Sequence, residues 1–272
     1  MTGSTHAVML AAFSGWNDAA EAASGAVDHL WAAWRAQTIA EIDPDDFTDF
    51  TVSRPEVRVE AGVAGDLRWP RTELGWCTPD RSLSVVMVRG PEPQFRWGSF
   101  CEALVDAADE LGCSTVVTLG AMLSEVPHTR PVPVFTAAHD PAVADALGLP
   151  TSDYVGPTGI PSALAQAAHR RGLESLGLWA ALPGYAAGVP SPVGTLALVE
   201  QAAAVLGVGV EAPELDDAAV EYVEHLDALV AEDEETSAYL DRLEHAYDED
   251  AVALGSADDL VSEVESFLRD QS

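Results

Sequence analysis

Tyr154-Val155-Gly156-Pro157-Thr158-Gly159-Ile160-Pro161 opens the stretch on which the fold turns. It runs on to Leu176-Gly177-Leu178-Trp179-Ala180-Ala181-Leu182-Pro183-Gly184-Tyr185 and closes at Pro190-Ser191-Pro192. Glycine admits backbone angles closed to other residues and proline fixes its own, so Gly156 to Gly159 reads as a tight turn. A turn of this kind can offer backbone N–H groups to an anion at the start of the next helix, with the Thr158 hydroxyl beside them. The commoner reading of such residues, and the one preferred, is a plain strand-to-helix turn that serves chain direction alone. Leu176 to Leu182 is an apolar run of strand length and reads as a strand buried on both faces. A helix over 192–206 then sets Leu196, Val199, Ala203 and Leu206 on one side.

Working outward, the same alternation recurs. Residues 6–13 form an apolar strand, and Ser14-Gly15-Trp16-Asn17-Asp18 is a turn ending in helix-capping residues. The following helix puts Ala23, Val27, Leu30, Trp31 and Trp34 on one stripe. Short strands are expected at 37–42, 47–52, 56–61 and 66–69, then buried strands at 82–88 and 114–119 and an extended segment at 132–137. Helices are expected at 95–111 and 140–147. Strands alternating with helices give an α/β fold, three-layer α/β/α, and the short strands near 47–69 make the central sheet mixed.

The chain has 272 residues, 48% of them apolar, which suffices for one large core. Its net charge is −32, and all 13 basic residues are arginine. A chain without lysine has no P-loop lysine, Schiff-base lysine or lysine general base. Such acidity excludes nucleic acid and anionic membranes as partners, because both need cationic surface. The acid is uneven. Residues 211–272 carry 21 acidic side chains against 2 arginines, and residues 1–210 carry 24 against 11. The expected organisation is therefore a core domain at 1–210 and an acidic helical appendage at 211–272. In the appendage, Val220, Val223, Leu226 and Val230 form one stripe, and Tyr239, Leu240, Leu243 and Tyr247 another. Ser256 with Asp259 resembles a capping box for a last helix. Cys77, Cys101 and Cys113 fit neither a disulfide framework nor a metal site, so buried free thiols are expected. No basic leader precedes the first strand, which predicts a cytoplasmic protein.

Four polar turns follow predicted strands: 14–18, 89–92, 120–130 and 183–185. In open α/β sheets ligands gather beyond the carboxyl ends of strands. The candidate ligand or interface cleft therefore comprises Trp16, Asn17, Asp18, Glu92, His128, Arg130, Thr158 and Tyr185. Asp18 or Glu92 can pair with Arg130 or hold a metal; alternatively Asp18 caps a helix and Arg130 forms a structural ion pair. No catalytic residue, metal or cofactor is assigned, since GxSxG, HExxH and Walker A patterns are missing. Gly207 to Ala212 spells a dinucleotide fingerprint but follows a helix, so chance explains it.

Several segments in order resemble the proteasome assembly chaperone family, in its bacterial branch similar to the second eukaryotic assembly chaperone. They are Phe13-Ser14-Gly15-Trp16-Asn17-Asp18-Ala19, Ile42-Asp43-Pro44-Asp45-Asp46-Phe47, Ser53-Arg54-Pro55, Gly90-Pro91-Glu92-Pro93, Leu119-Gly120-Ala121, Pro127-His128-Thr129-Arg130-Pro131, Tyr154 to Ile160 and Leu178-Trp179-Ala180-Ala181. The resemblance implies a phosphorylase/hydrolase-like α/β/α domain, oligomers (a trimer among them) and a role in binding and assembling protein subunits. The chain departs from the family pattern at Gly184, where His is usual, and at Val193, where Lys is usual. Its end, Arg269-Asp270-Gln271-Ser272, lacks a hydrophobic-Tyr-X docking tail. The expected function is a non-catalytic, self-associating, assembly-chaperone-like protein. The competing expectation is a hydrolase or ligase-type enzyme acting on a small molecule at the strand-end cleft.

Overall fold

The computed structural model describes residues 6–148, 150 and 154–249. The expected capping box at Ser256 and its helix lie outside the described residues, as does the C-terminal tetrapeptide. The first half of the chain gives β1 (His6–Ser14), α1 (Ala22–Ala33), β2 (Gln37–Ile42), β3 (Glu56–Glu60), β4 (Val63–Arg68), β5 (Thr72–Asp80), β6 (Leu83–Pro91) and α2 (Trp97–Glu110). The second half gives β7 (Cys113–Ser124), β8 (Val134–Ala138), α3 (Pro141–Leu147), α4 (Ile160–Arg171), β9 (Glu174–Pro183), α5 (Pro192–Leu206) and α6 (Pro213–Ala231). A further helix, α7, spans 234–249.

Seven strands form one mixed sheet in the order β2-β5-β6-β1-β7-β9-β8. The central four, β6-β1-β7-β9, run parallel, whereas β5, β2 and β8 are antiparallel to their neighbours. The parallel strands read as near-continuous apolar runs because helices cover both of their faces. In β1, Val8, Leu10 and Ala12 pack with α1 and α5, while Met9, Ala11 and Phe13 pack with α2 and α4. The result is the expected α/β/α sandwich with helices following it.

The local expectations are corrected in four places. β5 is a full strand that its mixed sequence TELGWCTPD conceals. Residues 47–52 form turns instead of a strand. The N–H groups of Phe47 and Thr48 both donate to the Pro44 carbonyl, and the Asp49 side chain accepts from Thr51. On α5 the buried stripe is Thr195, Leu198, Val199, Ala202 and Ala203, a rotation that leaves Leu196 and Leu206 half-buried. On α6 the buried set is Ala219, Leu226 and Val230, whereas Val220 is 59% exposed.

The three cysteines are free and buried, and burial pushes each thiol up to about 11. Among the described residues no helix is long and apolar enough to cross a membrane. Phe100 lies at the centre of the α2/α4 layer, meeting Phe13 and Phe47 edge-to-face at 5.8 and 5.4 Å. Phe100→Ala should therefore cost about 3–5 kcal/mol of stability, read as a lower urea midpoint with an unchanged slope.

Candidate functional site

Because β6, β1, β7 and β9 are parallel, their carboxyl ends at Pro91, Ser14, Ser124 and Pro183 share one rim. The turn after β1 is bound into that rim on two sides. The Glu92 N–H donates to the Ser14 carbonyl at 2.8 Å, and the Ala121 N–H donates to the Asn17 carbonyl at 2.8 Å. Ala20 and Glu21 then adopt left-handed backbone angles, with φ of 50° and 55°. That conformation costs non-glycine residues roughly 1–2 kcal/mol each, so the surroundings must hold it. The Ser191 N–H does so by donating to the Ala20 carbonyl at 2.9 Å.

Asp18 is consumed as a helix cap. Its Oδ1 accepts from the N–H groups of Ala23 at 2.7 Å and Ser24 at 3.1 Å, and its Oδ2 accepts from the Ser24 hydroxyl. It neither meets Arg130 nor sits in a group of metal-ligating side chains; no such group occurs among the described residues. Burial raises the Asp18 carboxyl above the usual carboxylate range, with the Ser24 and Ala23 hydrogen bonds opposing.

Glu92 has a different partner set. Its Oε1 accepts from Asn17 Nδ2 at 2.7 Å and from the Ile160 N–H at 3.0 Å. One carboxylate thus fastens the β1 turn, the end of β6 and the first turn of α4, where its charge also suits the helix dipole. Of the two readings of the Gly156–Gly159 turn, the anion position is filled from within the chain, by Glu92. Gly159 carries no side chain because Asn17 lies there: a Cβ would meet Asn17 Nδ2 at 1.9 Å.

Trp16, Asn17 and Thr158 line a cleft of about 650 Å³. Its walls include Met122, Leu123, Tyr154, Ser162 and Trp179, none of which was among the sequence candidates. The Trp179 ring lies flat on the sheet, because Cβ atoms at Gly120 and Gly177 would stand 2.6 and 2.9 Å from it. The Gly177-Leu178-Trp179 spacing carried that signal, since residues two apart on a strand share a face. Trp179 is only half-buried, so β9 is not covered throughout on both faces as expected.

His128, Arg130 and Tyr185 belong to a second cluster that fastens the acidic helices to the core. The Tyr185 hydroxyl accepts the His128 N–H at 2.9 Å and lies 2.7 Å from His128 Nδ1. His128 Nε2 lies 3.1 Å from Asp227 on α6. These contacts are satisfied when Tyr185 donates to Nδ1 and Nε2–H donates to Asp227. Burial pushes the Tyr185 hydroxyl up to about 12, so it keeps its proton. Arg130 makes a two-pronged pair with Asp248, at 2.9 Å for each prong, and reaches Glu244 at 3.2 Å. Thr129 donates to Glu244, and the Tyr247 hydroxyl donates to the Pro131 carbonyl at 3.0 Å. The eight candidates therefore divide: Trp16, Asn17 and Thr158 line the cleft, Glu92 bonds to Asn17, Asp18 caps α1, and His128, Arg130 and Tyr185 meet α6 and α7.

The PAC2 family model matches residues 12–230. The chain belongs to the PAC2 family. The solved PAC2 family protein from Streptomyces avermitilis is 41% identical, with a TM-score of 0.80 over 86% of this chain and 99% of that one. The Mycobacterium tuberculosis proteasome-assembly chaperone homologue is 42% identical, with a TM-score of 0.79 over the same shares. A Pyrococcus furiosus archaeal proteasome activator shares the fold at 16% identity and a TM-score of 0.66, over 83% of this chain and 93% of that one. No curated protein matches the chain.

The cap role of Asp18 in this PAC2 protein sets a test with a defined sign. A native pKa above the unfolded value means that ionisation costs more in the native state. Stability therefore falls as pH climbs from the ordinary carboxylate range through the raised value. Asp18→Asn should keep the acceptor for Ala23 and Ser24 and flatten that pH dependence. Asp18→Ala should lose about 1–2 kcal/mol, both read by urea unfolding across the acidic to neutral range.

Proposed function

We propose that this PAC2 protein is a non-catalytic, self-associating protein that binds and assembles other protein subunits. The observation that carries the reading is how its rim side chains are used. Asp18 caps α1, Glu92 anchors α4, Arg130 is paired twice, and His128 is held between Tyr185 and Asp227. Groups that would serve as acid, base or electrostatic clamp are already bonded within the chain. The role named for the Mycobacterium tuberculosis homologue supports the same reading, with proteasome subunits as the first clients to test.

Self-association draws support from the β3–β4 hairpin. Val57 pairs with Leu67 and Val59 with Ala64, which gives the ribbon an apolar side. Val57, Val59, Val63 and Leu67 are each at least half exposed. A two-stranded ribbon is marginal by itself in water, so it needs a partner surface. Residues 54–71 carry four arginines against three acids in a chain of net charge −32, and this contrast favours a second, acidic copy as that partner.

Sedimentation velocity tests the reading. The wild-type protein should run as a discrete oligomer, a trimer being the expected size, and Val59→Glu with Leu67→Glu should shift it toward the monomer without changing its circular dichroism. Tagged protein co-expressed with proteasome subunits should retain at least one of them. A monomeric wild type would remove self-association, and a failure to retain any subunit would remove the assembly role.

A further inference from the structure

The two faces of the sheet are covered unequally. On the α1/α5 face α3 also packs, through Val143 and Leu147. The opposite face has only α2 and α4 among the described helices, and no residue of β8 or β9 joins their core. Side chains alternate along a strand, so Phe135 and Ala137 of β8 share this face with Gly177 and Trp179 of β9. Ala137 is exposed, and Phe135 and Trp179 are half-buried. Two cavities of about 420 and 650 Å³ lie here; they share Ala137, Thr158, Ser162 and Trp179 and so make one groove beside α4. Its floor follows β7 from Thr118 to Leu123, about 17 Å of strand. Among the described residues no carboxylate lines it, in a chain that holds 45 acids.

The chain's own sequence at 256–270, outside the described residues, matches this groove in pattern, length and charge. At about 100° per residue, Ala257, Leu260, Val261, Val264, Phe267 and Leu268 fall on one side of a helix, and Asp258, Asp259, Glu263, Glu265 and Asp270 fall on the other. Residues 256–268 make about 20 Å of helix, close to the length of the floor. Their acids would be repelled by the carboxylates of α6 and α7, whereas the groove has none. The tether also suffices. Asp248 is held at Arg130 and Tyr247 at Pro131. From Pro131 to Ala137 is at most about 20 Å, and the stretch from 249 to 256 spans up to about 24 Å. Because β8 starts at the rim, the segment enters there and carries its end to the foot of the groove. At that foot the rings of His139 and His169 stack 4.8 Å apart, and their N–H groups suit the open carbonyls of a helix end.

We infer that residues 256–268 dock as an amphipathic helix in the groove between α4 and the β8–β9 face of the same molecule, completing the layer that α2 and α4 leave short. The inference is independent of whether the protein assembles others, since it concerns a surface within one chain.

Introduced cysteine pairs in the full-length chain test it, since the native thiols are buried. Ala137→Cys with Leu268→Cys should form a disulfide under mild oxidation. Ala33→Cys with Leu268→Cys should not, because α1 lies on the other face of the sheet. Adding Leu260→Glu and Phe267→Glu to the first pair should cut the linked fraction about tenfold or more. In a chain carrying those two glutamates alone, hydroxyl-radical oxidation of Trp179 should rise above the wild-type level, while the buried Trp31 stays protected and so reports an intact fold. Mixing isotopically heavy and light chains tells a link within one chain from a link between two. Linking no greater than that of the Ala33 pair would overturn the inference, as would linking indifferent to the glutamates or unchanged oxidation of Trp179. Links found only between heavy and light chains would also overturn it, and would give the groove to the segment of a neighbouring copy.

Discussion

One carboxylate, that of Glu92, settles the geometry of the rim. It stands at the end of β6 and accepts from the turn after β1 and from the first turn of α4. Those three pieces are far apart in sequence, and no other described side chain is bonded to both Asn17 and the start of α4. The constraint has two sides. The carboxylate satisfies donors that a helix start would otherwise leave open, and it spends the anion-binding capacity that a glycine-rich turn before a helix offers. Asn17, Gly159 and the cleft beyond them take their positions from that bond.

The same economy marks the other half of the rim. His128, Thr129, Arg130 and Pro131 receive contacts from Asp227, Glu244, Tyr247 and Asp248 on α6 and α7. The Arg130 pair with Asp248 holds that carboxyl below the usual range. The acidic helices are therefore docked by a few specific polar bonds together with Leu226, Val230 and Leu243, which are buried. Most of their remaining acid faces solvent, which leaves a strongly negative surface on these helices.

Much of the architecture was legible because burial on both faces writes itself into a sequence as unbroken apolar runs, as in β1, β6 and β9. Parallel strands then put their ends together by necessity, which is why the turns at Trp16, Glu92, Gly120 and Tyr185 could be grouped before any coordinates. β5 was hidden because Gly75, Pro79 and two acids interrupt its alternation, and the turns at 47–52 were mistaken for a strand because Phe47, Thr48, Phe50, Thr51 and Val52 are all residue types that favour strands. Asp18 as a helix cap and Arg130 in a structural ion pair were among the expectations, but the partners of His128 and Arg130 were not legible. His128 meets Asp227 across 99 positions and Arg130 meets Asp248 across 118, separations that local patterns do not constrain. Trp179 was hidden by its own apolar strand, although glycine two residues before it marked the face on which the ring lies.

Amide hydrogen exchange in wild-type and Glu92→Ala protein measures the Glu92 constraint directly. Loss of the carboxylate should speed exchange in the first turn of α4 and in the turn after β1, while the amides of β1 and β7 stay as protected as in the wild type. Unchanged exchange at those two places would contradict the account, since the rim would then be held by something other than Glu92.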